Sequence, residues 1–182
     1  MTLKANLVKV LLFIICFVGL AFGQTNLKDE TSIINFLCKQ YQVEYLHKDL
    51  KDFRGAGFNS YSDLKTTGLD FAPFGQFDLD SIFTIDQRKA LEENLTHTTV
   101  RRIRNSEPPK KVKLMEYDRD FKKGEVFGFS RILVQDGKDN FTYAIVLVSK
   151  GFAQDYWSEW YLILRKEGDE WREIYRTDIG IS

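Results

Sequence analysis

The chain has 182 residues, of which 43% are hydrophobic, 14% aromatic and 29% charged. Those proportions exclude a disordered or low-complexity chain and leave room for one domain with a substantial core. Its 26 basic and 26 acidic residues cancel, so no global field points to nucleic acid as a partner.

Residues 1–23 read as a secretory signal peptide. Lys4 and Lys9 form a short positive region, Val10–Leu20 is an apolar run, and Ala21-Phe22-Gly23 places small residues at the −3 and −1 positions of a cut before Gln24. The run is short of the roughly 20 residues that a membrane span needs, so membrane contact is expected through this leader alone. The alternatives are an uncleaved anchor and a lipoprotein. Cys16 lies in the run, but Ile14 and Ile15 precede it, where a lipid-attachment signal prefers small residues.

Residues 24–182 are expected to form one exported domain, periplasmic or secreted. Losing Lys4 and Lys9 leaves 24 basic residues against 26 acidic ones, a net charge of −2. Cys38 is then the only cysteine, so no intrachain disulfide is possible and burial alone holds the domain together. Its neighbours Phe36, Leu37 and Tyr41 mark it as a buried, inert thiol.

Residues Thr31–Lys48 carry Ile33, Ile34, Leu37, Cys38, Tyr41, Tyr45 and Leu46 at spacings of three and four. That stripe predicts a helix with Asp29 or Thr31 as N-cap, lying across a sheet. From Lys51 to Asp80 the periodicity fails among Gly55, Gly57, Gly68, Pro73 and Gly75, yet the stretch holds six aromatic rings. A loop packed down onto the body is expected there, with one short strand or helical turn within it. Thr84 and Gln87 have the form of a capping box, and Ile85, Arg88, Leu91 and Leu95 follow at helical spacing. A second helix over Ile85–Leu95 is predicted, with Ile82 and Phe83 as the apolar staple at its entry.

Val100–Lys113 is basic, and Pro108-Pro109 stops any helix in it. Lys111–Tyr117 reads as an edge strand blunted by its lysines. The runs Phe127–Gln135, Phe141–Ser149, Trp157–Arg165 and Trp171–Arg176 are divided by Gly- and Asp-bearing turns and predict an antiparallel meander. The two middle runs are apolar on both faces, which marks central strands covered above and below. The predicted class is α+β, with two N-terminal helices packed on a curved antiparallel sheet of about four to six strands.

Three segments carry a resemblance: Phe127-Gly-Phe-Ser-Arg-Ile-Leu-Val, Tyr143-Ala-Ile-Val-Leu-Val-Ser, and Trp160-Tyr-Leu-Ile-Leu-Arg-Lys-Glu-Gly-Asp-Glu-Trp171. With Ile82-Phe-Thr-Ile-Asp-Gln87 ahead of them, they resemble a group of uncharacterised exported proteins of Gram-negative, Bacteroidota-type bacteria. The likeness covers roughly residues 80–176 and implies class and compartment, since no activity is established for the group. The final hairpin also resembles the closing strands of the cone-shaped NTF2-like fold, which uses its sheet concavity as a ligand pocket.

No catalytic residue, metal ligand or cofactor is assigned. His47 and His97 are the only histidines, neither has a His or Cys at ligand spacing, and nucleophile-elbow, phosphate-loop and His-Glu-x-x-His patterns are missing. Arg131 is expected on the strand face of Phe127, Phe129 and Leu133, where its guanidinium needs a carboxylate across the sheet, Glu159 or Glu173, or an anionic ligand. Arg131, Glu159 and Glu173 are therefore the candidate ligand-binding residues. Tyr156, Trp157, Trp160 and Tyr161 raise sugar stacking, but alternation sends Trp157 and Tyr161 to one face and Trp160 to the other, as in a core. The basic run is read as a solvated loop, with contact to anionic lipid or polysaccharide as the alternative. Asn94-Leu-Thr and Asn140-Phe-Thr match the glycosylation acceptor pattern, which matters only in a eukaryotic source. The expected function is non-catalytic binding of a small ligand or envelope partner on the sheet's concave face, near Arg131 and under the first helix. The alternative is a hydrolase built from scattered acids and Arg131.

Overall fold

The computed structural model describes residues 27–54, 57–66, 77–96, 101–116, 121, 124–152 and 156–181. The leader 1–23, His97, Phe71 and Phe74 lie outside them. Helix α1 (Leu27–Gln40) opens the fold and buries Glu30, Ile33, Ile34, Leu37 and Cys38. It starts ahead of Asp29 and Thr31, so neither is its N-cap; Asp29 and Glu30 sit in the first turn, where acids complement the helix dipole. It also ends earlier than the stripe predicts. Gln42 takes φ of 53°, Val43 N–H donates to Cys38 O at 3.0 Å and Gln42 N–H to Lys39 O at 3.4 Å. This Schellman closure, with Val43 buried beside Cys38 in one core, stops the helix without a glycine. Tyr45 and Leu46 then belong to strand β1 (Tyr45–His47), not to the helix.

After β2 (Asp49–Leu50) come the short helices α2 (Tyr61–Thr66) and α3 (Leu79–Ile82), and then α4 (Ile85–Thr96). The capping box of α4 forms as expected: Gln87 N–H donates to Thr84 Oγ1 at 3.3 Å and Thr84 N–H to Gln87 Oε1 at 2.8 Å. The remaining strands are β3 (Arg101–Arg102), β4 (Lys113–Met115), β5 (Val126–Phe129), β6 (Leu133–Asp136), β7 (Thr142–Phe152), β8 (Tyr156–Glu167) and β9 (Glu170–Ile181).

The main sheet has seven strands in the order β4-β1-β5-β7-β8-β9, with β6 also paired to β7. It is larger than the four to six strands expected and it is mixed, because β1 runs parallel to both β4 and β5. The meander β7-β8-β9 is antiparallel as predicted. The run Phe127–Gln135 is two strands. Ser130 interrupts it: its N–H donates to Leu147 O at 2.9 Å while its hydroxyl accepts from Leu147 N–H at 2.9 Å. Lys51 docks on the break, donating from its N–H to Phe129 O at 2.8 Å and accepting from Arg131 N–H at 2.9 Å.

Alternation along the central strands separates two cores. Ala144, Val146 and Val148 with Trp160, Leu162 and Leu164 join the stripe of α1 on one face. Tyr143, Ile145 and Leu147 with Tyr161 and Ile163 join Phe53, Phe58, Tyr61, Leu64, Leu79, Phe83, Leu91 and Leu95 on the other. The aromatic loop after β2 thus folds onto the sheet, as its composition requires. Strand β9 carries two bulges, since its register against β8 slips between Glu173 and Tyr175 and between Asp178 and Gly180. The extra residues, Ile174 and Ile179, pack on the second core.

Candidate functional site

At the C-terminal end of α1 the α1 face of the sheet carries two adjoining hollows, which form a groove. One hollow of about 350 Å³ is lined by Lys150, Gly151, Ser158, Trp160, Arg176, Asp178 and Glu125. Glu125 also lines a second hollow of about 340 Å³ with Tyr41, Gln42, Glu44, Tyr45, Phe127 and Gln40. Tyr41, Phe127 and Trp160 join the two. Their ring centroids lie 6.1 Å (Tyr41–Phe127), 5.5 Å (Tyr41–Trp160) and 6.5 Å (Phe127–Trp160) apart.

Hydrogen bonds hold this end of the helix to β9. Tyr41 Oη donates to Glu173 Oε2 at 3.1 Å and accepts from Trp160 Nε1 at 3.3 Å and from Arg176 Nη2 at 2.8 Å. Arg176 donates from Nε and Nη2 to the two oxygens of Glu173 at 2.9 and 3.0 Å, and Gln40 Nε2 donates to Glu173 Oε2 at 2.6 Å. The guanidinium lies 5.2 Å from the Tyr41 ring centre and 6.0 Å from that of Trp160. Burial pushes the Tyr41 hydroxyl up to about 12, so at neutral pH it keeps its proton. Burial opposes the charge on Arg176, but the bond to Glu173 and the nearby Tyr41, Glu173 and Asp178 outweigh it and hold its pKa above the ordinary value. Lys150 Nζ sits 2.8 Å from Glu125 and 5.8 Å from the Phe127 ring centre.

The three candidates named from the sequence fall in three places. Glu173 lines neither hollow but bonds to Gln40, Tyr41 and Arg176, which do. Glu159 is on the opposite face, where Lys51 Nζ approaches it to 3.5 Å and sits 5.2 Å from the Trp157 ring centre. Trp157 stacks on His47 there at 6.1 Å and 24°, and the His47 pKa is lowered by burial and then by Lys51. Arg131 is not on a strand; it lies in the break between β5 and β6 and acts electrostatically on Glu30.

The N-terminal end of α1 holds a buried ionic cluster. Arg101 Nε lies 2.7 Å from Glu30 and its Nη2 2.8 Å from Glu107, while both carboxylates are nearly inaccessible, at 5% and 6% exposure. Burial raises the Glu30 pKa against the pull of Arg101 and Arg131. The basic run is therefore anchored into the body at Arg101, Ile103 and Glu107 and is not a freely solvated loop.

Sequence reasoning missed Tyr41, Phe127, Lys150 and Arg176 as site residues. Tyr41 stays on the apolar stripe and packs on the first core, where its contact with Trp160 reads from sequence as core packing. The adjacent apolar pair Ile174-Tyr175 within an otherwise alternating strand was the available sign of the bulge that orients Arg176. Among the described residues no group of three or more His, Cys, Asp or Glu is placed to hold a metal ion. No helix among them is long and apolar enough to cross a membrane. In comparison with known proteins, no family model, no curated protein and no solved structure matches the chain.

Proposed function

We propose that residues 24–182 form an exported, non-catalytic domain that binds a small ligand or envelope partner in the groove beyond α1. The observation that carries this reading is the pair of adjoining hollows, of about 350 and 340 Å³, around the rings of Tyr41, Phe127 and Trp160. Each has the size of an ordinary ligand pocket and is lined by polar groups, and the second adds the partly exposed rings of Tyr41 and Tyr45. Among the described residues their lining supplies no histidine, and the Tyr41 hydroxyl stays protonated, so any proton transfer there would fall to the carboxylates of Glu44, Glu125 and Asp178. Export rests on the leader pattern of residues 1–23, and N-terminal sequencing of the exported product should begin at Gln24.

A thermal-shift screen of the mature domain against glycans, lipids and small anions tests binding, with Lys150→Ala and Arg131→Ala alongside. A ligand should raise the melting temperature of the wild type and of Arg131→Ala but not of Lys150→Ala. An unshifted wild type that turns over an ester, phosphate or glycoside would replace this reading with the hydrolase.

A further inference from the structure

We infer that the ligand of this groove is a neutral, polyhydroxylated molecule, a saccharide of two or more linked rings. The inference rests on the reading of the groove as a binding site and is reached through charge. Each cation that lines it already faces a carboxylate, Lys150 with Glu125 at 2.8 Å and Arg176 with Glu173 at 2.9 Å. Asp178 adds a further acid to the walls, Glu44 faces Lys113 at 3.4 Å, and among the described residues Lys150 and Arg176 are the only cations lining the two hollows. An anionic ligand would meet no net positive field and would have to break both pairs to make its own.

A cationic ligand meets the opposite obstacle. The positions over the rings that would attract it are held by the protein's own cations, Arg176 over Tyr41 and Trp160 and Lys150 over Phe127. An acyl chain would strip water from the ion pairs and from Gln42 and return no hydrogen bond, which is costly for each polar group desolvated. Hydroxyl groups avoid all three difficulties, because each both donates and accepts. They can donate to Glu125 and Asp178 and accept from Lys150 and Ser158 while both ion pairs stay intact. Two adjoining hollows suit linked rings better than one.

Calorimetric titration of the mature chain with cellotetraose and maltotetraose, an oligogalacturonide tetramer and a chitosan tetramer tests this. A neutral tetramer should bind at least about tenfold more tightly than either charged one. Ser158→Ala should weaken it several-fold without moving the melting temperature, since Ser158 lies outside the Tyr41–Glu173–Arg176 network; Asp178→Asn should weaken it as well, with a small loss of stability because Asp178 helps to hold the charge of Arg176. Equal or tighter binding of a charged tetramer at Lys150 would overturn the ligand class and leave the binding site standing. The ligand class also falls, with the site intact, if no tetramer binds but a lipid or small anion raises the melting temperature in a Lys150-dependent way. If no compound of any class binds, the class and the binding site fall together.

Discussion

Glu173 and Arg176 form a two-pronged ion pair although they are three residues apart on one strand. An odd offset sends side chains to opposite faces of a regular strand. The extra residue Ile174 resets the alternation, so Glu173 faces the α1 side opposite Leu164 and Arg176 the same side opposite Leu162. A local irregularity in β9 thereby builds the wall that meets Tyr41.

Tyr41→Phe keeps the ring under Arg176 but removes the hydroxyl that serves three partners. It leaves the Trp160 N–H without its acceptor, and the cost should be about 1–3 kcal/mol. Urea denaturation should show a lower midpoint with an unchanged slope. A neutral result would mean that water replaces the hydroxyl without loss.

Arg101→Ala removes the one cation that bonds to both buried carboxylates, Glu30 and Glu107, leaving only the more distant Arg131 and Arg104, a change that costs about 3–5 kcal/mol. The Glu30 pKa is raised in the fold above its ordinary 4.5, so the folded state binds more protons than the unfolded one. Its contribution to stability is full below 4.5 and is lost as the pH rises through the folded value. The deficit of Arg101→Ala, measured by denaturation at several pH values, should therefore be largest near neutrality and narrow on acidification.

His47 should behave in the opposite sense. Its pKa is lowered from 6.5, first by burial and then by Lys51, so the unfolded chain binds more protons between the two values. The stability that this contributes is present above 6.5 and disappears as the pH falls through the folded pKa. His47→Gln should flatten the pH dependence of stability in that interval. The imidazole resonances of the folded wild type, assigned with that variant, should titrate below 6.5.

Val146 and Leu162 are both fully buried on the α1 face of the central strands. Val146→Asp or Leu162→Asp would place an unpaired charge there at a cost of several kcal/mol, roughly the margin of a small domain. Loss of a cooperative melting transition in circular dichroism is the expected result.

What was legible in the sequence depended on short-range pattern. The capping box at Thr84 and Gln87 and the two-faced alternation of β7 and β8 are local, and both form as predicted. The end of α1 was not legible, because Gln42 occupies a left-handed position that glycine usually announces. The parallel strand β1 was hidden for the same reason, since Tyr45 and Leu46 continue the helical spacing by coincidence. Arg131 was misplaced because Ser130 breaks the strand with a side-chain hydrogen bond that alternation does not reveal. The groove depends on Tyr41, Trp160 and Arg176, residues 16 to 135 positions apart whose meeting follows from the Schellman turn and the β9 bulge.

The bulges of β9 also bear on how the chain avoids its own copies. A strand of 12 residues at the outer side of the sheet offers backbone groups on which another chain could grow. Ile174 and Ile179 each interrupt the regular spacing of that edge, so an incoming straight strand loses register after a few residues. A domain whose described cysteine, Cys38, is free and buried gains from an edge that cannot template fibrous assembly.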